Sequence, residues 1–243
     1  LNEFGEVQGN ITLNKGTLNL KDGSSINSVV LTSTDLTDVK VSQSTNSQIN
    51  GTVIALDENV KNELASSSSI EVKKDVLEES SNVVLINSEN QGNLKNYIDE
   101  EKYCLFTSDV KYDTDISIDN KKFVLDLNNY TLTFYQMELV NQSNGTIKNG
   151  ILISKKSGSS IVVMDGNKLT MEGVNLTNKN AYGIFPYEKS EVILKNTKIK
   201  AGVYALGTNA STAQVNSPLI SISAYNCEFV TETSDFDNSA VYI

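Results

Sequence analysis

Carboxylates are the side chains of this chain whose type and spacing could do chemistry. Five of them fall in two short, loop-like stretches, which are Asp113, Asp115 and Asp119 in one and Asp235 and Asp237 in the other. Glu172 also lies 23 residues before Lys195. A glycosidase needs only two acids about 5 to 10 Å apart, so a catalytic pair is one interpretation. Acids that alternate along a solvated strand and pair with lysines of the next turn are the other, and we prefer it.

The absence of two residue types restricts the chemistry further. The 243 residues contain no histidine, and all 20 basic residues are lysines, so arginine is absent too. Without these side chains there is no imidazole base, no His-dependent nucleophile, no His-ligated zinc and no guanidinium clamp. Neither an EF-hand loop nor the Gly- and Asp-rich repeat of calcium-binding solenoids is present. We therefore expect no catalytic residues, no metal site and no cofactor.

Aromatic residues offer a second kind of chemistry, which is the stacking of flat rings against a ligand. Five of them recur toward the C-terminus, namely Tyr182, Phe185, Tyr187, Tyr204 and Tyr242. Rings that project from a rigid sheet can stack on sugar rings, and a long parallel face suits an extended chain ligand. Alternatively, the rings pack under the loop around Pro186 or against a neighbouring domain. We take these five residues as the candidate ligand-binding site, and both interpretations stay open.

A repeating apolar motif defines the elements that must position these side chains. It begins at Leu125, Ile147, Met171 and Leu194, with spacings of 22, 24 and 23 residues. Each unit is too short to enclose its own apolar face, so successive units must stack, and this period is typical of a solenoid. Short β-branched runs between turns rich in Asn, Ser and Gly make the units strands. The predicted fold class is all-β, with a parallel solenoid.

The same spacing predicts lines of side chains along the stack. Three aliphatic residues are predicted to align and point inward: Ile184, Val203 and Val241. Strand alternation then sends the aromatic residue that follows each of them outward. Stacked amides at an internal corner are predicted to form a second line, interrupted by Gly173: Asn149, Asn196 and Asn226.

The chain is predicted to contain two regions. Residues 91–243 form the β-helix. The helical spacing of residues 93–102 places Leu94, Tyr97 and Ile98 on one face and predicts a short helix that caps the open end of the stack. Residues 1–90 form a small β-rich module, for which an echo of the sequence around Ile26 at Ile49 suggests a solenoid as well. One continuous stack is the competing interpretation. The last three residues lie in a strand without a capping signal, so we expect further domains or another chain at that end.

The two cysteines, Cys104 and Cys227, are about five turns apart in this arrangement. At roughly 4.8 Å per turn the separation is on the order of 24 Å, whereas a disulfide needs Cα atoms within about 7 Å. We expect two free, buried thiols.

The charge balance bears on partners and location. A net charge of −10 without a lysine-rich patch argues against nucleic acid. No run approaches the roughly 20 apolar residues of a membrane span, so we expect no membrane insertion. The chain begins at Leu1 without a basic and apolar leader, so we expect either a processed mature form or a trimmed piece of a longer protein, and we expect the protein to be secreted or at the cell surface.

The predicted cap and the repeats together resemble a known architecture. The helix at 93–102, the stretches at 105–110 and 125–132, and the Asn-marked repeats after them are similar to the right-handed parallel β-helix of the pectin lyase-like superfamily, particularly to repeat proteins of bacterial cell surfaces. The resemblance covers about residues 93–243 and implies a shape. It implies no mechanism, because the Arg-dependent proton abstraction of the lyases and the Asp, His, Arg and Lys motifs of the polygalacturonases have no counterpart here.

This architecture hosts unrelated activities, so function has to come from the site. We expect a non-catalytic, extracellular, adhesin-like β-helix module that binds a polysaccharide or a host-surface glycan. One alternative is a polysaccharide lyase or glycoside hydrolase that uses Asp and Glu pairs. The other alternative is a structural stalk.

Overall fold

The computed structural model describes residues 2–3, 5–33, 38–49, 53–55, 83–164, 166–187, 189–208, 220–232 and 240–242. The chain divides into two compact units, Leu1–Val83 and Val84–Ile243. Strands make up most of the described residues of both units, and none of the described helices is long and apolar enough to cross a membrane.

The first unit consists of short strands that pair in parallel. They are β1 (Asn2–Glu3), β2 (Glu6–Leu13), β3 (Gly16–Leu20), β4 (Ser25–Leu31), β5 (Val39–Gln43), β6 (Gln48–Ile49) and β7 (Val53–Ala55). One sheet has the order β1-β3-β5, and the other has β2-β4-β6 with β7 also paired to β4. Ile26 pairs with Ile49, as the sequence echo predicted, and Ile26 is fully buried in the core of this unit.

The described part of the second unit contains one short α-helix and a longer series of strands. After β8 (Val83–Ile86) and a 3₁₀ turn (Gln91–Asn93) come α1 (Leu94–Asp99), β9 (Tyr103–Phe106), β10 (Val110–Tyr112), β11 (Ile116–Asp119), β12 (Lys122–Asp126), β13 (Thr131–Phe134), β14 (Met137–Val140), β15 (Asn144–Ser154), β16 (Ser159–Val163), β17 (Lys168–Asn178), β18 (Tyr182–Pro186), β19 (Glu191–Lys195), β20 (Lys198–Ala201), β21 (Leu206–Gly207), β22 (Ser221–Tyr225), β23 (Glu228–Thr231) and β24 (Val241–Tyr242).

These strands form successive coils of a parallel β-helix, which confirms the predicted fold class. Strands β9 to β11 make the first coil and β22 to β24 make the sixth. A large sheet runs in the order β22-β19-β17-β15-β12-β9-β8, and a second sheet runs β11-β14-β16-β18-β21-β24. The described strand pairs are parallel throughout, because each coil adds one strand beside its predecessor in every sheet.

The apolar motif of the sequence sets the register between coils. Leu125 pairs with Ile147, Ile147 with Met171, and Met171 with Leu194, as the spacings predicted. All four side chains are fully buried in the core between the sheets. Stacking the same position from coil to coil is therefore what removes these apolar side chains from water.

The helix α1 covers the core at the first coil. Leu94 and Ile98 are fully buried in the core, and Tyr97 packs against it, on the face that the helical spacing predicted. The helix is shorter than the predicted 93–102, because it ends at Asp99 and Glu101 takes a positive φ of 56°.

A corner of the coils holds residues with left-handed backbone. The φ angles are 58° at Asn149, 63° at Gly173, 48° at Asn196 and 52° at Asn226. Asparagine and glycine tolerate this conformation, so Gly173 keeps the corner even though it interrupts the amides. Asn226 donates to Asn196 at 2.8 Å. Asn196 and Asn226 are exposed, so this corner lies at the surface. The prediction of an internal corner was wrong.

Both cysteines are free, as predicted. Cys104 pairs with Leu125 and is fully buried in the core, where burial raises the pKa of its thiol to about 12. Cys227 is only half-buried, so the prediction of a buried thiol was wrong there. It lies on the sixth coil, whose residues are more exposed than those of the coils below.

Candidate functional site

Five aromatic side chains form one contiguous row on the surface of the second unit, and we call this row the aromatic ladder. It runs from Tyr187 through Phe185, Tyr182 and Tyr204 to Tyr242. Ring centroids are 5.5 Å apart for Tyr187 and Phe185, 6.0 Å for Phe185 and Tyr182, 5.5 Å for Tyr182 and Tyr204, and 5.2 Å for Tyr204 and Tyr242. The structure thus brings together all five of the candidate residues.

The five residues of the ladder come from three successive coils. Tyr182 and Phe185 belong to β18, and Tyr187 comes directly after it. Tyr204 precedes β21, and Tyr242 lies in β24. Parallel pairing holds these strands side by side, so residues far apart in sequence become neighbours on one surface.

The register of these strands differs from the predicted one. Ile184 pairs with Leu206, which pairs with Val241, so Leu206 takes the inward position that was predicted for Val203. Leu206 is buried, whereas Val203 is only half-buried. Tyr204 consequently stacks on Tyr182, which lies 22 residues earlier, one full coil.

Gly207 leaves room for the rings. A Cβ atom at this position would lie 3.4 Å from Phe185 Cε2 and 3.4 Å from Tyr204 Cβ, which is at the edge of a tight contact. Because glycine has no side chain, Phe185 and Tyr204 can approach the backbone of β21 closely.

The ladder contains two kinds of ring. The planes of Tyr182 and Tyr204 are inclined by 18° and those of Tyr204 and Tyr242 by 23°, so these rings turn their faces toward one another. Phe185 is inclined by 59° to both Tyr182 and Tyr187. Tyr187 and Tyr242, at the two ends, are 36% and 55% exposed, whereas the three inner rings are half-buried. The end rings therefore offer the most surface to a ligand.

The candidate carboxylates in the described part of the chain pair with cationic or amide groups. Asp113 lies 2.6 Å from Lys155 Nζ, Asp115 lies 3.6 Å from Lys156 Nζ, and Asp119 accepts a hydrogen bond of 2.8 Å from Asn141. Hydrogen bonding and charge from Lys155 lower the pKa of Asp113 below its usual value. Glu172 pairs with Lys195 in the strand register. Asp235 and Asp237 lie outside the described residues.

A general acid needs the opposite electrostatic environment. Catalytic carboxylic acids have raised pKa values, which burial or a neighbouring anion produces. Lys200 likewise lowers the pKa of Glu232, mainly through a hydrogen bond.

Among the described residues, no group of three or more Cys, Asp or Glu side chains could hold a metal ion.

No family model, no curated protein and no solved structure matches this chain. Function therefore has to be argued from the chain's own side chains. Besides the aromatic ladder, these include two groups that the sequence did not indicate.

The first such group surrounds a buried carboxylate, Asp126. Its side chain is fully buried and lies 3.8 Å from Lys148 Nζ. It accepts hydrogen bonds from the hydroxyl of Tyr103 at 2.7 Å, from the amide of Asn149 at 3.1 Å and from the N–H of Asn128 at 3.1 Å. Such satisfied buried charges hold neighbouring coils in register, and strand alternation alone could not reveal the burial.

The second group is an exposed apolar face on the second and third coils. Tyr130 and Tyr135 flank β13, and Ile151 and Ile153 lie in β15, which pairs with it. These four residues are among the most exposed large hydrophobic side chains of the described chain. The alternation of β15 predicts outward positions for the two isoleucines, and the pairing with β13 places Thr131 and Thr133 beside them.

Proposed function

We propose that this chain is a non-catalytic β-helix module of a bacterial surface protein, of the pectin lyase-like type, that acts outside the cell and recognises carbohydrate through the aromatic ladder. The observation that supports this proposal is the continuity of the ladder, in which five rings from three coils lie within 6.0 Å of their neighbours. These rings lie in paired strands or next to them and are held in place before any ligand arrives, so little conformational entropy is lost on binding.

Sugar rings have apolar C–H faces that pack on aromatic rings, and the exposed rings at the two ends of the ladder are the primary contacts. Tyr242 and Tyr187 have the most accessible surface of the five. The hydroxyl of a tyrosine adds a hydrogen-bonding group to its apolar ring, which suits the mixed character of a sugar. Tyr182 and Tyr204 hold the ladder together between these ends.

A structural stalk is the second candidate function, and the stacking of Tyr182, Tyr204 and Tyr242 favours it. Their faces turn toward one another and so contribute to the stability of successive coils. Tyr187 meets Phe185 at a tilt and takes no part in the stack of three tyrosines. If the ladder binds carbohydrate, removing this ring weakens binding; if the chain is a structural stalk, removing it has little effect.

The enzyme alternative receives less support from the geometry. Among the described carboxylates, Asp113 and Glu232 have a displaced pKa, and lysines lower it in both, whereas glycoside cleavage needs one acid that stays protonated.

The test is a glycan array that contains neutral, uronate-rich and host-type oligosaccharides, probed with the intact chain. We expect retention on a defined class of glycan, and loss of it in a Tyr187→Ala/Tyr242→Ala double variant whose thermal unfolding stays close to that of the wild type. Retained glycans are then incubated with the chain and assayed for new reducing ends and for unsaturated uronates.

Each outcome decides between the candidates. Retention without new ends or unsaturated products supports a binding module. Product formation overturns the non-catalytic proposal, and an array without any retained glycan leaves the structural stalk as the function.

A further inference from the structure

Three tyrosines of the aromatic ladder form an uninterrupted stack of phenol rings. Tyr204 lies between Tyr182 and Tyr242, with ring centroids 5.5 Å and 5.2 Å apart and planes inclined by 18° and 23°. Each ring carries a hydroxyl, which is the group that a one-electron oxidant attacks. Rings that face one another in this way need only small side-chain rotations to bring two of their carbons together.

Phe185 separates the remaining tyrosine of the ladder from this stack. Its ring lies between Tyr182 and Tyr187, at centroid distances of 6.0 Å and 5.5 Å. Phenylalanine has no hydroxyl and forms no phenoxyl radical, so Tyr187 has no oxidisable ring beside it in the described part of the chain. The same holds for the other exposed tyrosines among the described residues, which are Tyr130, Tyr135 and Tyr225.

An oxidant reaches the stack at its end on the sixth coil. Tyr242 is 55% exposed, whereas Tyr182 and Tyr204 are half-buried. The strand that carries Tyr242, β24, is only two residues long and pairs with β21 at Leu206 and Gly207. A covalent bond between Tyr242 and Tyr204 would therefore hold this short strand to the coil before it.

We propose that Tyr204 and Tyr242 are an oxidative cross-link site, at which hydrogen peroxide and a haem peroxidase convert the two rings to dityrosine. Each phenol gives up one electron and one proton, and the peroxide takes up both pairs and becomes two molecules of water. The two radicals form one carbon–carbon bond between ring positions beside their hydroxyls, and the hydrogen of each of these carbons moves to the phenol oxygen. The product has two hydrogens fewer than the untreated chain.

The cross-link joins positions that are 38 residues apart in the sequence (242−204). Such a bond restricts the unfolded chain as a disulfide does, and so it stabilises the folded chain. The sixth coil, whose residues are more exposed than those of the coils below, is the part of the unit that it ties down. The inference is independent of carbohydrate recognition, because it requires only neighbouring phenols.

The test is oxidation of the intact, dilute chain with a haem peroxidase and hydrogen peroxide. We expect blue dityrosine fluorescence in the monomer band of a denaturing gel. Digestion after glutamate is expected to release peptides 192–228 and 233–243 joined to each other, with a mass two hydrogens below the sum of the two. Tandem mass spectrometry then places the bond at Tyr204 and Tyr242.

Conservative variants remove one phenol and keep its ring. Tyr204→Phe and Tyr242→Phe are each expected to lower the monomer fluorescence at least tenfold. Tyr225→Phe is the matched control, because Tyr225 lies on the same coil as Tyr242 and is 62% exposed, and it is expected to change the fluorescence less than twofold. The oxidised wild type is expected to unfold at a higher temperature than the untreated chain, whereas oxidation is expected to leave the unfolding temperature of Tyr204→Phe unchanged.

Four results would contradict this assignment. Fluorescence confined to cross-linked dimers would mean that tyrosines of different copies couple instead. Dityrosine that persists in Tyr242→Phe would move the site to Tyr182 and Tyr204, and its loss in Tyr225→Phe would move the site to Tyr225. The absence of dityrosine in the folded wild type, under conditions that couple free tyrosine, would show that the stacked rings do not react.

Discussion

The ring of Tyr204 lies against the ring of Tyr182, with centroids 5.5 Å apart and planes inclined by 18°, although one full coil of chain separates them. This contact repeats between Tyr204 and Tyr242 at 5.2 Å. Tyr204 thus lies between a ring of the preceding coil and a ring of the following coil.

Tyr204→Ala is expected to lower the free energy of unfolding of the second unit by about 1–3 kcal/mol, because it removes two aromatic pairs worth about 0.5–1.5 kcal/mol each. Urea denaturation followed by circular dichroism measures this loss. Tyr187→Ala removes one tilted pair at an exposed position and serves as the control, with a smaller loss. Equal losses for the two variants would contradict the central position of Tyr204.

Asn196 tests the left-handed corner. Asn196→Ala is expected to cost about 1–2 kcal/mol, because alanine lacks the short polar side chain with which asparagine stabilises a left-handed backbone, here at a φ of 48°. Asn196→Gly is expected to be nearly neutral, since Gly173 already occupies the equivalent corner of the preceding coil. Thermal unfolding of both variants checks this expectation. If the side-chain amide were required instead of the left-handed backbone, Asn196→Ala and Asn196→Gly would lose similar stability.

Asp126 tests the buried polar group. Asp126→Leu leaves the hydroxyl of Tyr103 and the amide of Asn149 without their acceptor and Lys148 without its counter-charge, so we expect a loss of about 3–5 kcal/mol in unfolding free energy. Asp113→Leu is the control, because its ion pair with Lys155 is exposed and little change is expected. An Asp126→Leu variant as stable as the control would mean that the network contributes nothing.

The two thiols are expected to react at very different rates. At pH 8 an aromatic disulfide reagent should modify Cys227 quickly and Cys104 only after denaturant is added, because burial raises the pKa of Cys104 to about 12. The raised pKa also means that this thiol's contribution to stability is complete below its ordinary pKa and is lost as the pH rises toward 12. Fast reaction of both thiols in the folded chain would show that the first coil opens readily.

The fold was predictable because the interior repeats. One apolar side chain per coil has to occupy the same buried position, so the spacings between Leu125, Ile147, Met171 and Leu194 gave the register before any coordinates. The capping helix was predictable for a similar reason, since Leu94 and Ile98 share one helical face.

The misplaced register at Tyr204 has a physical explanation. The prediction aligned Val203 with Ile184 because the residues around them are similar. Ala201, however, pairs with Asn178 and ends the strand β20, which leaves 202 and 203 at the corner between strands. Local similarity therefore gave the wrong alignment where the 22-residue coil length would have given the correct one.

The burial of Asp126 and the neighbours of the exposed isoleucines could not be read from the sequence. Both depend on which side chains neighbouring coils contribute, such as Tyr103 beside Asp126 and β13 beside Ile151. A single strand shows only which face a residue lies on.

The measurement that tests the proposed function most directly is the binding isotherm, by titration calorimetry, of the wild type and of Tyr242→Ala with a glycan retained on the array. Tyr242 is the most exposed ring of the ladder, at 55%. We predict that Tyr242→Ala raises the Kd at least tenfold while the thermal unfolding midpoint changes by only about a few degrees. An unchanged Kd in a folded Tyr242→Ala variant would contradict carbohydrate recognition by the aromatic ladder.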